Sequence, residues 1–192
     1  MNLPKTWGAL LALLLAACAA LAPDQRADVP PAAPFDLLGR VSVSYDGRAF
    51  SSNVRWQHTA QSDEIWLMSP VGQTLAHIIH AADGAVLTAA DRQQYQASSV
   101  ESLTRRALGW ELPLARLQYW VRGLAAPDSV PDSFERDAAQ RPAALAQDGW
   151  RIAYINYPPD QQGGLPRRLD LARGSQAIRL VIDDWRGETP AP

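Results

Sequence analysis

One pattern narrows the fold of this 192-residue chain more than any other: apolar and polar residues alternate with period two along much of its length. In FDLLGRVSVSY, residues 35–45, the odd positions Phe35, Leu37, Val41, Val43 and Tyr45 are apolar, while Asp36, Arg40, Ser42 and Ser44 are polar. Successive side chains of a strand point to opposite faces, so this spacing gives a strand with one dry face. Asp46-Gly47 follows, a dipeptide suited to a tight hairpin. The next run sets Phe50, Val54 and Trp56 against Ser51, Asn53 and Arg55. Further strands are expected over 64–69, 73–81, 85–89 and 94–98, with Asp83-Gly84 as another turn. Hairpin following hairpin is an antiparallel meander.

The period changes after residue 99. Val100, Leu103, Ala107 and Leu108 share a helical face, and Gly109 suits the C-terminal cap. Pro113 can open a second helix, along which Leu114, Leu117, Val121 and Leu124 recur beside Trp120. Strands resume over 143–147, 150–157, 167–172 and 177–185. Two short amphipathic helices therefore interrupt a mainly β chain.

The first residues, MNLPKTWGALLALLLAACAALAP, carry one charge, Lys5, then an apolar run. This is the form of a secretory signal. The uncharged run from Trp7 to Ala22 is shorter than the ~18 residues that suggest a spanning helix. Leu15-Ala16-Ala17-Cys18 resembles a bacterial lipobox, and Cys18 is the only cysteine, so it has no disulfide partner. That resemblance implies cleavage after residue 17, with S-diacylglycerol and an N-acyl chain on Cys18 and no other cofactor. Each buried CH₂ contributes about 0.8 kcal/mol, so several chains on one cysteine would anchor the protein durably. Ala19 follows the cysteine; an Asp there commonly signals retention at the inner membrane of Gram-negative bacteria, and by that analogy the destination is the outer membrane. Residues 18–34 are rich in Pro and Ala and read as a semi-extended tether. The expected division is a signal peptide at 1–17, the tether at 18–34, a folded domain at 35–188 and a disordered tail at 189–192. Removing residues 1–17 takes away the only lysine and leaves 17 arginines against 20 acids, a net charge of −3. That balance gives no nucleic-acid footprint.

No sequence signature of catalysis stands out. His58, His77 and His80 are the only histidines. His77 and His80 lie three apart on an expected strand and so face opposite ways, which disfavours a shared metal. Nucleophile-elbow, zinc-protease and phosphate-loop motifs do not occur. The six tryptophans beyond Trp7 suit either a core or the lining of a lipid cavity.

The turn Ser69-Pro70-Val71-Gly72 is unusual. Pro at the second position and Gly at the fourth suit a type I turn, whose third position usually takes a small polar residue. Val71 is β-branched and prefers strands. It could fold back on its own sheet, or be one of the isolated exposed apolar residues common on protein surfaces.

The order of parts, and the words "FDLLGRVSV", "SPVGQTL", "GWELPLARLQYWVRGLAAP" and "QAIRLVIDDW", resemble the LolB family of outer-membrane lipoprotein receptors over roughly Phe35 to Trp185. The resemblance implies a curved antiparallel sheet forming an incomplete β-barrel, with short helices as a lid over a hydrophobic cavity. It also implies a non-enzymatic function: taking the lipid moiety of a lipoprotein from a periplasmic carrier, LolA, and inserting it into the inner leaflet of the outer membrane. A monomer facing the periplasm is expected. For the acyl-chain cavity the candidates are Val41, Val54, Trp56, Leu67 and Ile78, with Leu103, Leu117, Trp120 and Val121 on the lid. The family's membrane-contact loop falls on Pro70, Val71 and Gly72. Leucine is the commoner residue at that tip; valine lacks one methylene and would insert more weakly by about 0.8 kcal/mol. The residues by themselves leave other readings open: an anchored module for a lipid or other hydrophobic small molecule, a structural envelope lipoprotein, or an anchored hydrolase.

Overall fold

The computed structural model describes residues 32–158 and 164–186. Cys18, the signal, most of the tether and the tail at 189–192 lie outside the described residues.

Along the described residues eleven strands and two helices follow one another: β1 Phe35–Tyr45, β2 Arg48–His58, β3 Asp63–Met68, β4 Thr74–Ala81, β5 Gly84–Ala89, β6 Gln94–Ala97, α1 Val100–Leu108, α2 Leu114–Trp120, β7 Ser133–Arg136, β8 Pro142–Gln147, β9 Trp150–Ile155, β10 Arg168–Arg173 and β11 Gln176–Arg186. All strands join one antiparallel sheet in the order β6-β5-β4-β3-β2-β1-β11-β10-β9-β8-β7. Two meanders, β1–β6 and β7–β11, thus meet where the first strand pairs with the last. The sheet is not closed: β6 and β7 are its free edges.

The alternation read from the sequence is the burial pattern. Leu37, Val41 and Val43 of β1, Val54 and Trp56 of β2, and Ile178, Leu180 and Ile182 of β11 lie buried in one core with both helices. Helix α1 starts where Ser99 accepts a hydrogen bond from the Ser102 amide and ends at Gly109, whose φ of 81° is the left-handed cap expected of it. Its buried face, Val100, Leu103 and Thr104, lies on the inner side of the sheet. Strand β7 is absent from the sequence reading because SFER has no alternation. It is a four-residue edge strand held by its pairing with β8. Asp183 and Asp184 lie inside the last strand. A register shift opposite Leu38 and Gly39 takes up the extra residue, and β11 runs on to Arg186.

Hairpin turns between β1 and β2, β3 and β4, β5 and β6, β8 and β9, and β10 and β11 all lie at one end of the sheet, as the registers require. The chain enters β1 at the opposite end.

Candidate functional site

Beneath the helices the inner face leaves a cavity of ≈ 40 Å³. Leu37 and Val41, Val54 and Trp56, Ile65 and Leu67, Leu171, and Ile178 and Leu180 supply its sheet side, from five strands. Trp110, Leu112, Leu114 and Leu117 close it from the helical side. Every lining side chain is apolar. A buried water needs about two to four polar partners and none faces this space, so it stays dry. Drug-sized ligand sites run to roughly 300–1,000 Å³, so an acyl chain could enter only if the helical cover moved outward.

Of the strand residues singled out in the sequence, Val41, Val54, Trp56 and Leu67 line the cavity, while Ile78 is buried on the same inner face of β4 outside it. Among the helical residues Leu117 lines it. Leu103, Trp120 and Val121 are fully buried around it. The cavity and lid candidates read from the sequence left out the lining residues Leu37, Ile65, Leu114, Leu171, Ile178 and Leu180, and also Trp110 and Leu112, which sit between the helices, where no periodicity marks them.

Polar anchors hold the cover. Gln147 of β8 is completely buried. Its Oε1 accepts from the Trp120 indole at 2.9 Å and the Ala126 amide at 2.9 Å, and its Nε2 donates to the carbonyls of Ala126 at 2.6 Å and Ser129 at 2.7 Å. The end of α2 is thereby fixed to the sheet. At the other end of the cover the ties lie nearer the surface. The Tyr45 hydroxyl donates to the Leu108 carbonyl at 3.0 Å, and Gln176 donates to the Glu111 carbonyl at 2.6 Å. Glu111 pairs with Arg105 and, at 2.7 Å, with Arg173. Partial burial pushes its carboxyl up, but the two guanidinium groups overcome this and hold it below the usual carboxylate value of 4.5. The only sequence signal for Gln147 is that it shares the inward phase of Leu145, where an apolar residue is the rule.

The β3–β4 loop is built to hold one side chain outward. Gly72 donates to the Ser69 carbonyl at 2.9 Å, Ser69 donates to the Gln73 carbonyl at 2.8 Å, and the Gln73 amide donates to Ser69 Oγ at 3.1 Å. Gly72 takes a φ of 84°, which a residue with a Cβ adopts only with strain. Val71, between Pro70 and Gly72, is 81% exposed, so it does not fold back on the sheet. The β5–β6 loop provides an internal comparison, because it has the same bonding: Arg92 donates to the Ala89 carbonyl and Ala89 to the Gln93 carbonyl, both at 2.9 Å. At the position of Val71 it carries Asp91, whose carboxylate accepts from the Gln93 amide. A short acceptor is what this turn ordinarily takes. Val71 forgoes that bond.

Two other features lie apart from the cavity. A hollow of ≈ 670 Å³ on the outer face is floored by small residues such as Ser42, Ser51, Ala144, Ala153 and Ala172 and edged by Arg151, Asp170 and Arg179. The histidines divide between the faces. His77 bonds Glu64 at 2.8 Å and stacks on Trp66 outside, whereas His58 and His80 both bond the buried Asp63, at 2.8 and 3.3 Å. Among the described residues no group of three or more His, Cys, Asp or Glu side chains is placed to hold a metal ion.

An open antiparallel sheet with a wholly apolar cavity under short helices defines a class of unclosed, helix-covered β-folds. Within that class the chain belongs to the LolB family, outer-membrane lipoprotein receptors that act in lipoprotein localisation: the family model described as outer membrane lipoprotein LolB matches residues 33–185. The outer-membrane lipoprotein LolB of Nitrosomonas europaea is 46% identical over 158 residues, covering 81% of this chain and 74% of that protein. The outer-membrane lipoprotein LolB of Azoarcus sp. is 40% identical over 174 residues, covering 90% and 89%. Among solved structures, a LolA superfamily protein from Nitrosomonas europaea aligns at a TM-score of 0.49 and 9% identity over 84% of this chain and 89% of that one. No helix of the described residues is long and apolar enough to cross a membrane.

Proposed function

We propose that this protein takes the acyl chains of a lipoprotein from a LolA-like periplasmic carrier into the cavity under α1 and α2, and releases them into the inner leaflet of the outer membrane at the Val71 tip. The observation that carries this reading is the pairing of a wholly apolar cavity with a hydrogen-bonded loop presenting an exposed valine. The cavity is nearly filled by its own cover, so it can stay dry while empty. Uptake exchanges contacts between cover and sheet for contacts with acyl chains.

The reading requires neither a covalent step nor a cofactor. Acyl chains lose about 0.8 kcal/mol per CH₂ on leaving an apolar environment, so they pass only between sheltered sites. A receiving site tighter by about 1.4 kcal/mol biases the transfer tenfold, and the bilayer is the final sink. Acylation of Cys18 would keep the protein itself at that bilayer. In this reading the protein works as a monomer, because one chain supplies the cavity, its cover and the tip.

The test mixes a carrier loaded with labelled lipoprotein with this protein, then with vesicles. Label should move first to the protein and then to lipid. Protein that binds free lipid but takes nothing from the carrier would favour a simple lipid-binding module. Mass spectrometry of the mature N-terminus should find a triacylated Cys18, and an unmodified residue there would refute the anchor.

A further inference from the structure

The β5–β6 loop matches the Val71 loop in hydrogen bonding and lies beside it, yet its left-handed position is filled by arginine. Arg92 has a φ of 68° where Gly72 has 84° in the neighbouring loop. A side chain there strains the backbone, and glycine would not. Among the contacts of the described residues none engages the Arg92 guanidinium, which is exposed in the structure. Nor does packing explain why an arginine stands there.

Placement supplies an explanation. The Ala90 amide donates to the Leu75 carbonyl at 3.0 Å, which ties this loop to the strand that leaves the Val71 loop. Leu75, pushed out at the register shift in β4, is itself 36% exposed. One end of the sheet therefore presents apolar Val71 and Leu75, with the charged pair Asp91 and Arg92 on the adjoining turn. Asp91 uses Oδ1 for the Gln93 amide at 3.0 Å and leaves its other oxygen open. A surface of this kind, apolar at one tip and bearing both a cation and an anion next to it, complements the boundary of a zwitterionic bilayer.

We propose that the β5–β6 turn binds a phospholipid headgroup beside the inserted Val71 tip, with the Arg92 guanidinium on the phosphate and the Asp91 carboxylate on the headgroup ammonium. Guanidinium is matched to phosphate in shape and charge. The carboxylate makes the turn neutral overall, which suits a headgroup of phosphoethanolamine type better than a purely anionic one. The proposal rests on the reading of Val71 as the bilayer contact and adds what fixes the orientation of that tip.

The experiment uses the full mature chain and a carrier loaded with fluorescent lipoprotein. It measures acceptance from the carrier, delivery to vesicles and the denaturation midpoint. Arg92→Gly should keep acceptance, keep or raise the midpoint because strain is relieved, and lower delivery to phosphatidylethanolamine-rich vesicles about fivefold. Arg92→Lys should recover part of that loss. Asp91→Asn keeps an acceptor for Gln93, so it should fold normally. It should deliver less well to phosphatidylethanolamine-rich vesicles while matching wild type on phosphatidylglycerol vesicles. Val71→Glu serves as the reference: if it delivers normally, the reading of the tip falls and this inference with it. If Val71→Glu fails while Arg92→Gly delivers like wild type, only the headgroup contact is overturned. A loss confined to acceptance would assign Arg92 to the carrier's docking surface and would equally overturn it.

Discussion

Val71 stands in a loop whose hydrogen bonds close without it, and its side chain meets little protein. Replacing it should therefore cost little stability. Val71→Glu should change the denaturation free energy by no more than about 0.5 kcal/mol, as at ordinary surface sites, yet deposit lipoprotein poorly because a carboxylate is expelled from the hydrocarbon boundary. A drop of several kcal/mol would mean the valine is packed after all. The oddity of Val71 was legible in the sequence, since turn positions have chemical requirements that valine does not meet. Arg92 was not legible: Asp91-Arg92 contains no glycine to advertise a left-handed residue. Tyr154 is another residue that only the structure exposes. It sits on the inner face of β9, 6% accessible, and its hydroxyl has no hydrogen-bond partner among the described residues. Burial drives its pKa well upward. An unpartnered buried hydroxyl carries its desolvation cost with no return, so Tyr154→Phe should be neutral or raise stability by about 1 kcal/mol in chemical denaturation.

Helices α1 and α2 could be placed from the sequence because each has an apolar stripe, and α1 is bounded by a serine cap and a glycine stop. The segment between them could not, because Trp110 and Leu112 seal the cavity from irregular backbone, and strand β7 escaped because its only order comes from β8. The two ends of this helical cover differ in how they are held. Gln147→Leu would remove the acceptor for Trp120 and Ala126 and the donor to Ala126 and Ser129, stranding buried polar groups. At roughly 1–3 kcal/mol for each unsatisfied group, a loss of at least about 3 kcal/mol is expected, measured by the denaturation midpoint. The Glu111 tie is of another kind. Its folded-state pKa lies below its unfolded value, so its contribution is complete above about 4.5 and fades as pH falls through the folded value. Acidification below that point should loosen the 109–113 linker first, seen as faster amide hydrogen exchange there while the core strands remain protected. Glu111→Gln should show the fast exchange already at neutral pH. If linker exchange in the wild type does not change with acid, the ion pairs are not what hold the cover down.

At the scale of the whole molecule, every strand but β7 was legible one by one, and so were the hairpins of the first meander, but the pairing of distant strands was not. Alternation fixes which face of a strand is dry and says nothing about which distant strand lies next to it. The central pairing of β1 with β11 joins residues about 140 positions apart, as Arg40 opposite Val181 shows. Among the described residues that seam is the only strand pairing that connects the two meanders, and one residue lets it close. A Cβ built on Gly39 would lie 2.1 Å from the Val181 carbonyl oxygen and 3.2 Å from the Ile182 Cα. Both are main-chain atoms, so no side-chain rotation relieves the clash, and the register shift beside Gly39 is where the strands already depart from regular pairing. Gly39→Ala should therefore destabilise by about 2–3 kcal/mol, toward the upper part of the range for overpacked sites. A mere loss of glycine flexibility would act oppositely, since alanine restricts the unfolded chain and stabilises wherever its conformation is allowed. Ser42→Ala, on the exposed face of the same strand, is the control and should be nearly silent. Because the two strands of the seam supply Leu37, Val41, Ile178 and Leu180 to the cavity, the Gly39 variant should take up lipoprotein less well even at temperatures where it remains folded. A Gly39→Ala protein with an unchanged midpoint would show that β1 and β11 do not approach as closely as this register requires.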